Sequence, residues 1–248
     1  MGKTDSNTLR FYEEEAEIYD ETRFSSEFGK YLDAVQKKIV LGMCEYDDKE
    51  ILLDIGTGTG RFVMELVGKG AISTGTDVSG RMIKTAKKKA VERRVYERVN
   101  LVRADACTLP FRNASFDGCI SINVLNHVSD YNRALSEVAR ILKPRGYFVA
   151  NFPNMQGIFL PVALFVKFRQ RALFRQVYSK WFTLKEMKEA ISNAGLRTES
   201  IKGCLMSTTL GLSRKTIISL LKHVNRLFIF LPWKYLSGVL YVRSRRAG

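Results

Sequence analysis

The chain is poor in the residues that build metal sites and disulfide frameworks. Its four cysteines are Cys44, Cys107, Cys119 and Cys204; none form a C-x-x-C pair, and only two histidines are present. A zinc site needs clustered Cys and His ligands, and a disulfide framework needs many cysteines in a small secreted chain. We therefore expect free thiols, with neither a metal nor a disulfide.

Long apolar runs are also missing. No stretch approaches the roughly 18 to 20 uncharged apolar residues that a membrane-spanning helix requires. The first residues are polar and contain no signal-peptide core. These absences predict a cytoplasmic protein, and its 248 residues are enough for one large α/β domain.

A glycine-rich turn follows an apolar run at 51–55. The segment Asp54-Ile55-Gly56-Thr57-Gly58-Thr59-Gly60 leads into a helical apolar pattern from Arg61, which predicts a strand-to-helix turn. The dinucleotide pattern G-x-G-x-x-G would place its third glycine at Arg61, so a nicotinamide cofactor is disfavoured. A P-loop is not indicated either, because no Gly-Lys-Ser or Gly-Lys-Thr follows.

Apolar strand-like and helix-like segments alternate through the remaining core. Such alternation predicts a parallel sheet covered by helices on both faces. Asp77 and Asp105 follow the second and third predicted strands, at the edge where doubly wound sheets bind ligands. The other predicted strands are 115–122, 147–153, 196–205 and 238–243, and the predicted helices include 82–90, 134–142 and one from Thr183 to Gly195 with a Thr183/Glu186 capping box.

These segments, in this order over roughly 51–153, resemble the motifs of class I S-adenosylmethionine-dependent methyltransferases, particularly those acting on small molecules and quinones. The resemblance implies a doubly wound, Rossmann-like sheet of seven mostly parallel strands, with an antiparallel last strand and helical lid insertions. It also implies that S-adenosylmethionine is the methyl donor and S-adenosylhomocysteine the product.

The same resemblance assigns the cofactor-binding residues. It places the methionine end of the cofactor at Asp54, Gly56, Gly58 and Gly60, the ribose hydroxyls at Asp77, the adenine at Asp105 and Ala106, and apolar contacts to the ring at Val78 and Met82. Asn123, after the fourth strand, is the last of the residues that the resemblance assigns to cofactor binding. Residues 11–20 resemble a leading cap helix, in which Tyr12 and Tyr19 share a face. Tyr19 then either closes over the sulfonium or packs in the core.

The absence of certain motifs narrows the range of possible methyl-acceptor atoms. No Asn-Pro-Pro-Tyr or Asp-Pro-Pro-Tyr follows the fourth strand and no Pro-Cys pair occurs, so oxygen, carbon or amine acceptors remain. His127, four residues after Asn123, is the candidate general base because histidine titrates near neutral pH. His223, the other histidine, is expected to be a solvated helix residue.

The predicted organisation is a single domain with two insertions. Residues 1–50 form cap helices, 51–154 the cofactor-binding core, 155–180 and 207–236 the insertions, and 181–206 and 237–248 the end of the sheet. Residues 155–248 contain 17 Lys or Arg and three acids, so they carry 14 of the 15 net positive charges. Both insertions combine bulky apolar residues with basic ones, as basic amphipathic helices do.

Three roles for the insertions remain open. They form a plain lid, or they present a small or lipid-like acceptor at an anionic membrane surface, or they bind nucleic acid such as tRNA. The heavy aliphatic content counts against nucleic acid, which favours exposed aromatics among basic residues. Two other functions also compete, a non-catalytic S-adenosylmethionine sensor and a nicotinamide oxidoreductase. The sequence specifies no oligomeric state.

Overall fold

The computed structural model describes residues 6–45, 50–157, 177–204 and 235–248. Its strands are β1 (Ile51–Ile55), β2 (Ile72–Asp77), β3 (Val99–Arg103), β4 (Phe116–Ser121), β5 (Leu142–Pro153), β6 (Leu196–Cys204) and β7 (Val239–Arg246). Its helices are α1 (Ser6–Glu15), α2 (Tyr19–Phe24), α3 (Glu27–Leu41), α4 (Val63–Gly68), α5 (Gly80–Glu92), α6 (Tyr131–Ile141) and α7 (Leu184–Asn193), with 3-10 turns at Tyr96–Arg98 and Leu125–His127.

The strands form one seven-stranded sheet in the order β3-β2-β1-β4-β5-β7-β6. Neighbouring strands from β3 to β5 are parallel, whereas β7 runs antiparallel to both β5 and β6. The predicted fold class is therefore confirmed. The strand order reverses direction between β1 and β4, and such a switch point opens a crevice at the carboxyl ends of the strands.

Side chains alternate between the two faces of the sheet and bury both. Leu53, Cys119 and Phe148 belong to a cluster that includes residues of α6 and α7. Leu52 and Ile120 belong to a second cluster, which includes residues of α3 and α4. Because apolar side chains are buried on both faces, the central strands are nearly continuous apolar runs in the sequence.

The helix ends follow the local chemistry of the sequence. The Thr183 side chain accepts a hydrogen bond from the Glu186 N–H while the Glu186 carboxylate accepts one from the Thr183 N–H, so the predicted capping box is present. Gly195, just beyond α7, has a φ of 80°, as expected for a glycine that ends a helix. At α5, the Ser79 hydroxyl accepts from the Met82 N–H.

Two elements differ from the prediction. The leading helix is not continuous over 11–20, since α1 ends at Glu15 and α2 starts at Tyr19. A continuous helix would place Glu13 and Glu17 four residues apart with like charges, which is unfavourable. Strand β5 starts at Leu142 rather than 147, because Leu142 pairs with Phe116 and the predicted turn at 143–146 is an irregularity within the strand.

The greater part of each predicted insertion, 158–176 and 207–234, lies outside the described residues. The short flanking piece 177–182 is described and runs against β5, where the Phe182 N–H donates to the Pro153 carbonyl. Among the described residues, no helix is both long and apolar enough to cross a bilayer.

Candidate functional site

A cavity of about 90 Å³ lies at the switch point, between the carboxyl ends of the strands and α1. Most of the predicted site residues line it: Tyr19, Gly56, Gly58, Asp77, Val78, Met82, Ala106, Asn123 and His127. Sequence analysis did not assign the other lining residues, which are Thr8, Tyr12, Ile55, Ala104, Ile122, Val124 and Val128. Three of those, Ile55, Ala104 and Ile122, end or directly follow strands, a position that would have identified them.

The glycine turn provides the cavity floor. Gly56, Gly58 and Gly60 have φ values of 69°, 56° and 84°, a region that side-chain-bearing residues rarely adopt. A Cβ at Gly56 would lie 2.2 Å from a methyl of Val124, whereas one at Gly58 would have no heavy atom within 4 Å. The backbone at Gly58 is therefore open to a ligand.

Asp77 is held beside this turn by backbone donors. Its Oδ2 accepts a hydrogen bond from the Gly58 N–H at 2.9 Å, and its Oδ1 accepts one from the Ser79 N–H at 2.9 Å. A carboxylate with two acceptor oxygens suits a pair of vicinal hydroxyls. Burial raises the pKa of Asp77 to about 6.

Three predicted cofactor residues lie outside the cavity wall. Asp54 is 2% exposed beneath the turn, where its Oδ2 accepts from the Thr57 hydroxyl at 2.6 Å and the Val63 N–H at 3.1 Å. Burial raises its pKa to about 6. A Cβ on Gly60 would face Met64. Asp105 accepts from the Cys107 N–H at 2.9 Å. Asp54 and Gly60 shape the turn, and direct contact between Asp105 and adenine stays a prediction.

Both ring nitrogens of His127 have partners. Nδ1 lies 2.7 Å from the Tyr178 carbonyl oxygen, which can only accept, so Nδ1 carries the proton. Nε2 then accepts from the Asn126 amide at 2.9 Å. The ring also meets Tyr12 edge-on, with centroids 5.6 Å apart. Proton transfer to Nε2 would require Asn126 to release it.

The segment formed by α1 and α2, here called the cap, covers the cavity. Glu13 accepts hydrogen bonds from the Gly80 and Arg81 N–H groups at 2.8 and 3.2 Å, at the positive end of α5. Asp20 accepts from the Thr59 hydroxyl at 2.6 Å and forms an ion pair with Lys89. These contacts hold the cap on the glycine turn and on α5, and neither was predicted.

Arg61, which replaces the third glycine of a dinucleotide loop, connects this turn to α3. Its guanidinium donates to Asp33 at 2.7 Å and to Gln36 at 2.8 Å, and it stacks 4.4 Å from the centre of the Phe24 ring. An Arg61 side chain thus joins the turn, α3 and α2. The residue that disfavours a nicotinamide loop has a structural role in this site.

The polar groups that line the cavity fit S-adenosylmethionine. Gly58 offers open backbone, Asp77 offers two acceptors, and Val78 and Met82 offer an apolar surface.

Comparisons with known proteins agree with this geometry. The family model described as a methyltransferase domain matches residues 53–150. The O-methyltransferase cnsE of Penicillium expansum is 30% identical over 192 residues, which cover 72% of this chain and 69% of that protein. The ubiquinone/menaquinone biosynthesis C-methyltransferase UbiE of Rickettsia felis is 34% identical over 104 residues, covering 40% of this chain and 42% of that one.

A solved structure extends the similarity over nearly the whole fold. The protein of Thermotoga maritima described as an S-adenosylmethionine-dependent methyltransferase, possible histamine N-methyltransferase, superposes with a TM-score of 0.68. It is 21% identical, and the match covers 96% of this chain and 99% of that one. Together with the similarity to the O-methyltransferase over two thirds of its length, these matches establish the family. The chain belongs to the class I S-adenosylmethionine-dependent methyltransferases.

Proposed function

We propose that this methyltransferase modifies an oxygen, a carbon or an amine nitrogen of a small or lipophilic molecule. The observation that carries the proposal is the apolar and aromatic lining of the cavity, which includes Tyr12, Tyr19, Val124 and Val128. Such apolar and aromatic walls suit a compact organic acceptor. The activities for which the two relatives are named, O-methylation and C-methylation in ubiquinone/menaquinone biosynthesis, support the same class of substrate.

Each part of the cofactor would contact a different set of residues. Asp77 would accept hydrogen bonds from the ribose hydroxyls, the Gly56–Gly58 backbone would border the methionine end, and Val78, Met82 and Ala106 would contact the adenine. Bound S-adenosylmethionine supplies an electrophilic methyl group on a sulfonium. The cap would exclude water and hold the acceptor in line behind this methyl, and such positioning accounts for much of the rate.

A direct binding measurement tests the cofactor assignment. We expect titration calorimetry to show binding of S-adenosylmethionine and S-adenosylhomocysteine and none of NAD. Asp77→Asn should weaken binding by about tenfold, because a carboxylate–hydroxyl pair is a charge-assisted hydrogen bond. Binding of NAD alone would overturn the assignment.

His127 is the proposed general base, with Asn126 as the group that must release its Nε2 lone pair. If this role is correct, His127→Ala loses turnover while its affinity for S-adenosylmethionine stays unchanged. Asn126→Leu, which leaves Nε2 free, should keep more activity than His127→Ala. Full turnover by His127→Ala would show that the acceptor needs no base from this residue.

The class of acceptor can be tested without knowing its identity. We propose a small-molecule or lipid-like acceptor, taken from the cytoplasm or from an anionic membrane surface. Incubation of the protein and labelled S-adenosylmethionine with cell extract should place the label in the small-molecule or lipid fraction. Label in tRNA would instead support nucleic-acid methylation, for which the positive charge of residues 155–248 is the supporting observation. Binding to anionic but not neutral liposomes would place the reaction at a membrane.

A further inference from the structure

Two asparagines, the half-buried Asn123 and the buried Asn151, link the ends of β4 and β5 at the cavity wall. The Asn123 N–H donates to Asn151 Oδ1 at 2.6 Å, and Asn151 Nδ2 donates to Asn123 Oδ1 at 2.7 Å. Asn151 is 1% exposed and does not line the cavity, whereas Asn123 does. The two side chains therefore satisfy each other in a place where water has little access.

This pair fixes an unfavourable backbone conformation. Asn123 has a φ of 62°, in the left-handed region, which is unfavourable for a residue with a side chain. Asparagine tolerates this region better than most residues, and here its N–H and its carboxamide oxygen both bind Asn151. The hydrogen bonds to Asn151 offset the cost of the left-handed turn.

The left-handed turn determines where the next residue lies. Val124 follows Asn123 directly, and its methyl groups are so close to Gly56 that a Cβ there would lie 2.2 Å away. The backbone at the end of β4 is thus packed against the glycine turn at the end of β1. Any change of φ at Asn123 would move Val124 relative to Gly56, and both residues line the cavity.

Further polar side chains lie next to Asn151 on the side away from the cavity. Its side chain and that of Gln36 both lie beside the buried hydroxyl of Tyr241. Gln36 in turn accepts a hydrogen bond from Arg61, next to the glycine turn. Buried polar groups therefore extend behind the cavity wall from β5 and β7 to α3.

We propose that Asn151 is a positioning residue for cofactor binding. It holds Asn123 in the left-handed conformation that places Val124 against Gly56, and it acts without touching the cofactor. The proposal rests on the proposed function in one respect, namely that S-adenosylmethionine is the ligand of this cavity.

A double-mutant cycle with glycine at position 123 tests it. Asn151→Ser removes both hydrogen bonds without adding charge, and Asn151→Asp places a second acceptor oxygen against Asn123 Oδ1. We expect each to weaken S-adenosylmethionine binding by about tenfold, as the loss of a buried hydrogen-bonded pair would. In the Asn123→Gly variant, the glycine adopts the left-handed conformation without help from Asn151. It also has no side-chain carboxamide that the carboxylate of Asn151→Asp could repel. In the Asn123→Gly background, either change at Asn151 should therefore alter affinity by less than about twofold.

The outcomes separate this proposal from the proposed function. If wild type binds S-adenosylmethionine and the Asn151 variants bind it as tightly, or lose equal affinity in both backgrounds, positioning through Asn123 is refuted. If wild type does not bind S-adenosylmethionine, the ligand assignment fails. Denaturant unfolding of the same four proteins of the Asn151→Ser cycle still tests the pair, since the coupling should also appear in stability. Asn100→Asp, an exposed asparagine on β3, is the matched control and should behave as wild type.

Discussion

Replacing Asp54 by asparagine should make the protein more stable near neutral pH. The Asp54 carboxylate is 2% exposed, and burial raises its pKa from 3.8 to about 6. Both of its hydrogen bonds, from Thr57 and the Val63 N–H, reach the same oxygen, Oδ2. An asparagine Oδ1 can take that place, so the substitution removes a buried charge and keeps the bonds of the turn.

The pKa of Asp54 gives the size and the sign of the effect. Because the folded-state pKa lies above the unfolded one, the folded state binds the proton more tightly, and the cost of the buried charge disappears as the pH falls from 6 toward 3.8. The shift from 3.8 to about 6 corresponds to about 3 kcal/mol at pH 7 and to less than about 1 kcal/mol at pH 4. The advantage of Asp54→Asn should shrink in this way on acidification.

Guanidinium denaturation of both proteins, side by side and without cofactor, measures this difference at each pH. Contributions from other titrating groups largely cancel when the two free energies of unfolding are subtracted. A variant that is less stable than wild type at pH 7, or a difference that does not change between pH 7 and pH 4, would refute the reasoning. The first result would mean that the ionised carboxylate makes the stronger bonds.

Three further changes probe the turn and the cap. Gly56→Ala should lower the melting temperature more than Gly58→Ala, because only the Cβ at position 56 clashes, with Val124. Gly58→Ala should instead weaken S-adenosylmethionine binding in calorimetry, because its Cβ enters the cavity. Asp20→Asn should speed cofactor release several-fold in stopped-flow measurements by loosening the cap, and Glu21→Gln, an exposed acid on the same helix, should not. Arg61→Met should destabilise the fold by about 1–3 kcal/mol in denaturant melts, since Gln36 loses its donor and Asp33 keeps only Lys37 as a charged partner.

Contrary results would be equally informative. Equal melting temperatures for the two glycine variants would mean that Val124 can move away from Gly56. Unchanged release from Asp20→Asn would mean that the cap opens elsewhere, for example at Glu13. A fully stable Arg61→Met would show that the hydrogen bonds of Arg61 to Asp33 and Gln36 contribute little to the free energy of unfolding.

The alternation of strands and helices was predictable from the sequence because it depends on local patterns. The apolar runs that are buried on both faces marked the central strands, and a Thr183/Glu186 pair marked the start of α7. The break between α1 and α2 was not predicted. The two helices on either side of the break are anchored far along the chain, Glu13 of α1 at Gly80 and Arg81 and Asp20 of α2 at Thr59 and Lys89, and no local pattern shows these contacts.

The residues of the site that belong to local motifs could also be predicted from the sequence. Gly56, Asp77 and Asn123, which lie at or just after the end of a strand, were identified from such motifs. Asn151 was missed because nothing in its own neighbourhood distinguishes it from another polar residue in a strand. Its importance comes from a partner 28 residues away with a left-handed backbone, which is visible only in three dimensions.

The antiparallel strand β7 has a consequence for biosynthesis. Within the sheet, β6 pairs only with β7, which also covers the outer side of β5. On a ribosome adding about 5–20 residues per second, β7 is made several seconds after β6, which ends at Cys204. Until then the nascent chain presents two unpaired strand edges, the kind of surface on which chains aggregate. The sheet thus remains incomplete until β7 is translated, well after the cofactor-binding half of the chain has been made.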